Sequence, residues 1–133
     1  MYATLTVRDE TAFGIGGSDY VFTLNFPDER VTARELLRDR VRQEVEDYNT
    51  QQPEYFRGLV QPTDAERTLN GFKLTKQKLI NREEQYAKAL EAFGHNGFIL
   101  LVDDRQIEDL DETILIEPDT AVTFLKLVPL VGG

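Results

Sequence analysis

One long run of helical periodicity set between runs of strand periodicity constrains this chain more than any other feature. Tyr2 to Val7 alternates as Tyr-Ala-Thr-Leu-Thr-Val, the pattern of a half-buried strand. Tyr20 to Phe26 alternates again, with Tyr20, Phe22, Leu24 and Phe26 on one face. Between them Gly14, Gly16, Gly17, Ser18 and Asp19 mark a turn, so the two runs predict a β-hairpin with a long loop. Pro27-Asp28-Glu29-Arg30 ends the second strand, and Thr32 with Glu35 three residues later forms a capping box. Leu37, Val41, Val45 and Tyr48 then recur at helical spacing, predicting an amphipathic helix of four to five turns. Its outer face carries Arg34, Arg38, Arg42 and Glu46, a mixed-charge solvated face.

The second half of the chain is read in shorter pieces. Gln51-Gln52-Pro53 ends the helix, and Tyr55 to Val60 and Leu69 to Leu74 each read as a short strand or a packed loop. Thr75 is the expected cap of a second helix carrying Leu79, Tyr86, Leu90 and Phe93 on one face, with Gly94 in the C′ position where glycine is favoured. His95-Asn96-Gly97 is a turn. Phe98 to Val102 is a continuous apolar strand, which Asp103-Asp104-Arg105 turns into a short Gln106-Ile107 segment. Ile114-Leu115-Ile116 reads as a packed loop or half-turn. After the turn Glu117-Pro118-Asp119-Thr120, Ala121 to Val128 is apolar almost throughout, which suits a central strand. A helix crossing from the hairpin to a strand parallel to the first is expected to be right-handed.

Several kinds of chemistry are excluded or weakened by what the chain lacks. With no cysteine there is no disulfide framework, thiolate metal site or thiol nucleophile. His95 is the single histidine, with no histidine partner for a metal. The glycines at 14, 16 and 17 fit neither a dinucleotide fingerprint nor a P-loop. Asp103, Asp104, Glu108, Asp109, Asp111 and Glu112 are dense, but lack the ligand spacing and glycine of a calcium loop, and read as solvated turns. The chain is therefore expected not to be an enzyme and to bind no metal of its own. A net charge of −9 disfavours nucleic acid and anionic membrane as partners. No apolar run approaches the roughly 20 residues of a membrane span, and the N-terminus lacks the features of a signal peptide, so the expected location is cytoplasmic.

The sequence ends Thr123-Phe124-Leu125-Lys126-Leu127-Val128-Pro129-Leu130-Val131-Gly132-Gly133. Neither strand packing nor a helix cap calls for a glycine pair there. Two residues without Cβ can be threaded, extended, through a channel too narrow for any other side chain. Strand alternation sets Leu125 and Leu127 on one face and Phe124 and Lys126 on the other. A lysine facing the core is uncomfortable, and raises the expectation of a one-residue register slip.

The order hairpin, long helix, insertion, strand, short strand, strand, Gly-Gly resembles ubiquitin and its relatives. Leu100-Leu101-Val102-Asp103-Asp104-Arg105-Gln106-Ile107-Glu108-Asp109 resembles the family's passage from its third strand into a Gln-hydrophobic-Glu-Asp segment, and Thr123 to Gly133 resembles its last strand and tail. The resemblance implies an α+β fold of the β-grasp kind: a mixed sheet with one main helix in a single domain over 1–133. Residues 50–96 would be an insertion containing a second helix, and 129–133 an extended flexible tail. It implies that Gly133, with the slim Gly132 behind it, is adenylated by an activating enzyme that uses ATP and magnesium. Val128, Pro129, Leu130 and Val131 would be read by that enzyme. Leu101 and Leu127 align with the family's hydrophobic recognition patch, and Lys73, Lys76 and Lys78 are candidate acceptors for polymer chains. A conjugating carrier enzyme, a deconjugating peptidase and target proteins are the further partners implied. Where ubiquitin has arginines before Gly-Gly, this chain has Pro129 and Val131, which looks more like the tails of molybdopterin- and thiamine-pathway sulfur carriers. Three readings stay open: a protein modifier, a carrier of a C-terminal thiocarboxylate, and a non-covalent interaction module.

Overall fold

The computed structural model describes residues 3–11, 20–68, 71–76 and 78–127. The turn expected at Gly14 to Asp19 and everything from Val128 to Gly133 lie outside the described residues. The chain is α+β. Strands β1 (Ala3–Thr11) and β2 (Tyr20–Phe26) pair antiparallel, β3 (Arg30–Thr32) is short, and α1 spans Ala33–Gln51. The hairpin β4 (Ala65–Thr68) and β5 (Gly71–Leu74) precedes α2 (Arg82–Gly94), and β6 (Phe98–Val102), β7 (Arg105–Ile107), β8 (Thr113–Leu115) and β9 (Ala121–Lys126) complete the order. Five strands form one mixed sheet, β2-β1-β9-β6-β7. In it β9 runs parallel to β1 and antiparallel to β6. The first and last described strands thus meet at the centre of the sheet.

Alternation explains which face is buried. Leu5, Val7 and Asp9 of β1, Leu24 and Phe26 of β2, Phe98, Leu100 and Val102 of β6, and Val122 and Phe124 of β9 all turn inward. Over them lies α1, whose Leu36, Leu37, Arg40, Val41, Val45 and Tyr48 form its buried stripe. The helix starts where the capping box predicted it: the Glu35 N–H donates to Thr32 Oγ1 at 3.1 Å, and the Thr32 N–H to Glu35 Oε2 at 3.4 Å.

The structure departs from the sequence expectations at several points. β1 continues four residues beyond Val7, because Asp9 faces inward against a buried arginine and the strand does not stop at its charges. Ile114-Leu115-Ile116 is not loop or half-turn throughout. Thr113–Leu115 is a strand paired antiparallel with β3, and three-residue strands are too short to show a period. Thr75 does not cap α2. Its hydroxyl and amide both donate to Asp64 O, at 2.9 and 2.8 Å, and the cap is Asn81, whose Oδ1 accepts from the Glu84 N–H at 2.9 Å. Leu79 precedes the helix and is 65% exposed, whereas Ile80 is the buried residue. Gly94 is the last helical residue rather than C′, and the left-handed position falls on Asn96, at φ 60°.

The segment between α1 and β6 belongs to the same core. Phe56, Leu59, Phe72, Ile80 and Ala89 are buried in one cluster with the sheet and α1. Asn49 of α1 holds the Ile80 backbone from both sides: its Nδ2 donates to Ile80 O at 3.0 Å, and its Oδ1 accepts from the Ile80 N–H at 2.9 Å. Phe56 and Phe72 exchange backbone hydrogen bonds of 2.7 and 2.9 Å. Gly71 makes that approach possible. It sits at φ +128°, and a Cβ there would lie 2.8 Å from Phe56 O. Gly71→Ala is expected to destabilise the protein by about 3 kcal/mol, combining backbone strain with a clash that no rotamer relieves. Urea denaturation followed by circular dichroism measures this.

Candidate functional site

The site singled out by the sequence is the last strand and what surrounds it. β9 is central, so its position is set from both sides: Arg8 pairs with Thr123 and Glu10 with Leu125 on one edge, and Ile99 with Leu125 and Leu101 with Thr123 on the other. No register slip occurs. Phe124 is buried on the inner face, and Lys126 follows it on that same face.

The discomfort of an inward lysine is resolved by a buried ion network. Lys126 Nζ lies 3.5 Å from Asp9 Oδ2, and its side chain is 23% exposed. Asp9 is itself gripped by both terminal nitrogens of Arg40, Nη1 to Oδ1 and Nη2 to Oδ2, the latter at 2.7 Å. Arg40 Nε donates to Glu44 Oε2 at 2.7 Å, and Glu44 Oε1 accepts from the Leu59 N–H at 3.4 Å. Arg40 Nη2 also reaches Arg57 O at 3.4 Å. The guanidinium is sandwiched between two rings, 4.8 Å from the Phe22 centroid and 5.0 Å from that of Phe124. Arg40 is 1% exposed. Two cations and two carboxylates thus balance to zero beneath the end of β9, joining β1, α1, β9 and the 57–59 segment.

The proton affinities follow from this arrangement. Burial alone would lower the pKa of Arg40, but the Glu44 and Asp9 carboxylates outweigh it and raise it, so the guanidinium is permanently charged. Burial pushes the Glu44 carboxyl up, with Arg40 opposing. Burial pulls the Lys126 ammonium down, with Asp9 opposing. Asp9, Arg40 and Glu44 are buried and Lys126 is partly exposed, and together they act as a clamp between β1, α1 and β9. It fixes the height and direction at which the chain leaves the sheet after Lys126.

Asp9, Arg40 and Glu44 are the residues that sequence reasoning missed. Their signal was present: Asp9 sits at an inward position of an alternating strand, and Arg40 and Glu44 fall three and seven residues after Leu37, on the helix's apolar stripe.

The residues that were anticipated are placed as follows. Leu101 and Leu127 share the outer face of the sheet, with Ile99 and Leu125 on the adjoining β6 and β9 positions of that face. Leu101 is half-buried and Leu127 is 40% exposed. Lys73, Lys76 and Lys78 are all exposed; Lys73 faces Glu54 at 3.9 Å and Lys78 faces Asp64 at 2.9 Å. Val128, Pro129, Leu130, Val131, Gly132 and Gly133 lie outside the described residues. The acidic stretch 103–112 builds turns: Asp103 Oδ1 accepts from the Ala121 N–H, Asp109 Oδ1 from the Asp111 N–H, and Glu112 pairs with Arg105 at 2.6 Å. No described helix is long and apolar enough to cross a membrane. No protein-family model matches this chain, and neither a curated protein nor a solved structure shows significant similarity to it.

Proposed function

We propose that this chain is a ubiquitin-like protein modifier of the β-grasp kind, acted upon by enzymes rather than acting as one. Its Gly133 carboxylate attacks the α-phosphorus of ATP on a magnesium-dependent activating enzyme, releasing pyrophosphate and leaving an acyl-adenylate. A partner thiol then displaces AMP, and a target amine displaces the thiol to give an amide. The carboxylate needs this sequence because it is a poor electrophile until AMP becomes its leaving group. One observation carries the reading: the strand order β2-β1-β9-β6-β7, with parallel β1 and β9 under a single long helix, leads the chain towards Gly132-Gly133 from a central, ion-clamped strand. Against the minimal β-grasp, residues 50–96 are an insertion. The outer-face residues Leu101 and Leu127 supply a recognition patch for partners, and Val128 to Val131 the segment that the activating enzyme reads.

A second reading, a cytoplasmic sulfur carrier, is favoured by the arginine-free run Val128-Pro129-Leu130-Val131. Intact mass spectrometry after incubation with ATP, magnesium and an activating enzyme separates the two. Enzyme-linked adducts or a ladder that appear with the full chain, and vanish when Gly133 is deleted, are the expected result. Replacement of Lys73, Lys76 and Lys78 together by arginine is expected to shorten the ladder. Exchange of one oxygen for sulfur at Gly133, given a sulfur donor, assigns the carrier role instead. An unchanged mass for both versions leaves a non-covalent interaction module.

A further inference from the structure

β2 closes one side of the five-stranded sheet and pairs with β1 alone. Which of its backbone groups look away from β1 follows from the bonds of β9. The Ala121 carbonyl accepts from the Asp103 N–H at 2.9 Å, and the Ala121 N–H donates to Asp103 Oδ1 at 3.0 Å, so both groups point towards the β6 side. Backbone direction alternates along a strand, which turns Val122, Phe124 and Lys126 towards β1. In a parallel pair such a residue bonds the two neighbours of the residue opposite it. Val122 stands opposite Val7, so it bonds Thr6 and Arg8, and the even-numbered residues of β1 face β9. The odd-numbered ones face β2, where Leu5, Val7 and Asp9 meet Leu24, Phe22 and Tyr20 as hydrogen-bonded pairs. The N–H and C=O of Val21, Thr23 and Asn25 therefore point outward. These residues are open to solvent: Val21 is 50% exposed, and Thr23 and Asn25 are exposed with it. Among the described residues, none bonds their backbone on that side.

The composition of the strand leaves that edge unprotected. Edge strands ordinarily carry a charge, a proline or a bulge that turns other chains away. Tyr20-Val21-Phe22-Thr23-Leu24-Asn25-Phe26 has no charge and no proline, in a chain of which 29% is charged, and its register with β1 runs without a bulge. Burial of the inner face accounts for Phe22, Leu24 and Phe26, but not for uncharged residues at the exposed outer positions. At the opposite edge of the sheet β7 carries Arg105.

The strand is also complementary to itself. Antiparallel pairing of two copies about a two-fold axis at Thr23 sets Thr23 against Thr23 and Val21 against Asn25, the register in which every outward group of these residues is bonded. Phe22 then lies beside Leu24 and Tyr20 beside Phe26, and no like charges meet along the strand. With a net charge of −9, two copies repel over most of their surface, so an uncharged strip is where they can approach.

We propose that β2 is a homodimerisation edge, at which a second copy of this chain pairs antiparallel about Thr23 and continues the sheet across both molecules. A charged foreign strand finds no counter-charge along β2, which favours the copy as occupant. The proposal does not depend on the chemistry at Gly133.

The test is sedimentation equilibrium of the full chain from micromolar to millimolar concentration, at low and high salt, with amide exchange followed by NMR. The average mass is expected to rise to twice that of the chain, more readily at high salt, which screens the repulsion between copies. On concentration the amides of Val21, Thr23 and Asn25 should gain protection, while those of Phe22 and Leu24, already bonded to β1, should not change. Thr23→Lys and Thr23→Glu each set like charges opposite one another across the axis, and each is expected to weaken the dimer by about tenfold or more. Thr23 faces solvent, so both variants should keep the wild-type circular dichroism. An equimolar mixture of the two is expected to recover the dimer, because residue 23 meets its own counterpart. A chain that stays monomeric throughout overturns the proposal. So does a dimer that forms without protecting these amides, one that either variant leaves intact, or one that mixing fails to restore.

Discussion

Replacing Arg40 by methionine will lower the unfolding free energy by about 3–5 kcal/mol at neutral pH, the cost of stranding buried charge without its partner. Methionine fills much of the space between the Phe22 and Phe124 rings, so packing is not the main loss. What is lost is the guanidinium that satisfies Asp9 with two nitrogens and Glu44 with a third. Lys126 remains, but it reaches Asp9 alone, from 3.5 Å and a partly exposed position. The variant's deficit should shrink on acidification, and the sign follows from Glu44. Burial already holds its carboxyl above the ordinary value of 4.5, with Arg40 opposing, and removing Arg40 lifts it further. A carboxyl whose folded pKa exceeds its unfolded value contributes stability that is fully present below the unfolded pKa and lost as pH rises through the folded one. Urea midpoints of both proteins at neutral pH and near pH 4.5 should therefore converge as the pH falls. A deficit that grows in acid would contradict the network as drawn. Arg40→Lys is expected to fall between the two, since an ammonium keeps the charge but not the fork or the stacking.

Phe56→Ala is the other large effect, at about 3–5 kcal/mol. Phe56 is 1% exposed, meets Tyr48 of α1 edge-on at 5.5 Å, and exchanges backbone bonds with Phe72. If the segment between α1 and β6 were an appended module, emptying this site would loosen only that segment. Because Phe56, Leu59 and Ile80 share one core with α1 and the sheet, amide exchange should accelerate in β1 and β9 as well, and unfolding should remain a single transition. Protection of β1 and β9 that stays at the wild-type level would show two cooperative units.

These two sites also show what the sequence made legible. The hairpin and α1 were readable because their apolar residues keep a strict period, and the capping box marks the start of α1 to the residue; β9 was readable because it is apolar almost throughout, although it ends at Lys126 and Val128 lies outside the described residues. The charged members of the same stripes were not read, although Asp9 and Arg40 obey the periods that Val7 and Leu37 obey. A polar residue in an inward position looks like the end of an element until its partner is known, and the partners are 31 residues apart. Thr75 misled for a related reason. Its side chain caps nothing, but bonds Asp64 O across the β4–β5 hairpin, a contact without local signature. For the tail the outcome is narrower: the structure sets its point of departure after Lys126, and the roles of Val128 to Gly133 rest on the sequence.

The placement of β9 has a consequence for biosynthesis. Translation delivers β1 first and β9 last of the described strands, yet these two lie side by side, Thr6 against Ala121. Until the ribosome has passed Lys126, β1 and β6 have no common neighbour, and the growing polypeptide holds two unjoined half-sheets with their edges bare. Such pairing between distant parts of a chain is slow to form, and products terminated before β9 lack the strand that joins the two halves of the sheet. The complete five-stranded sheet therefore requires synthesis through β9, whose last residue is Lys126, so completion of the fold is tied to arrival of the end of the chain that leads to Gly133.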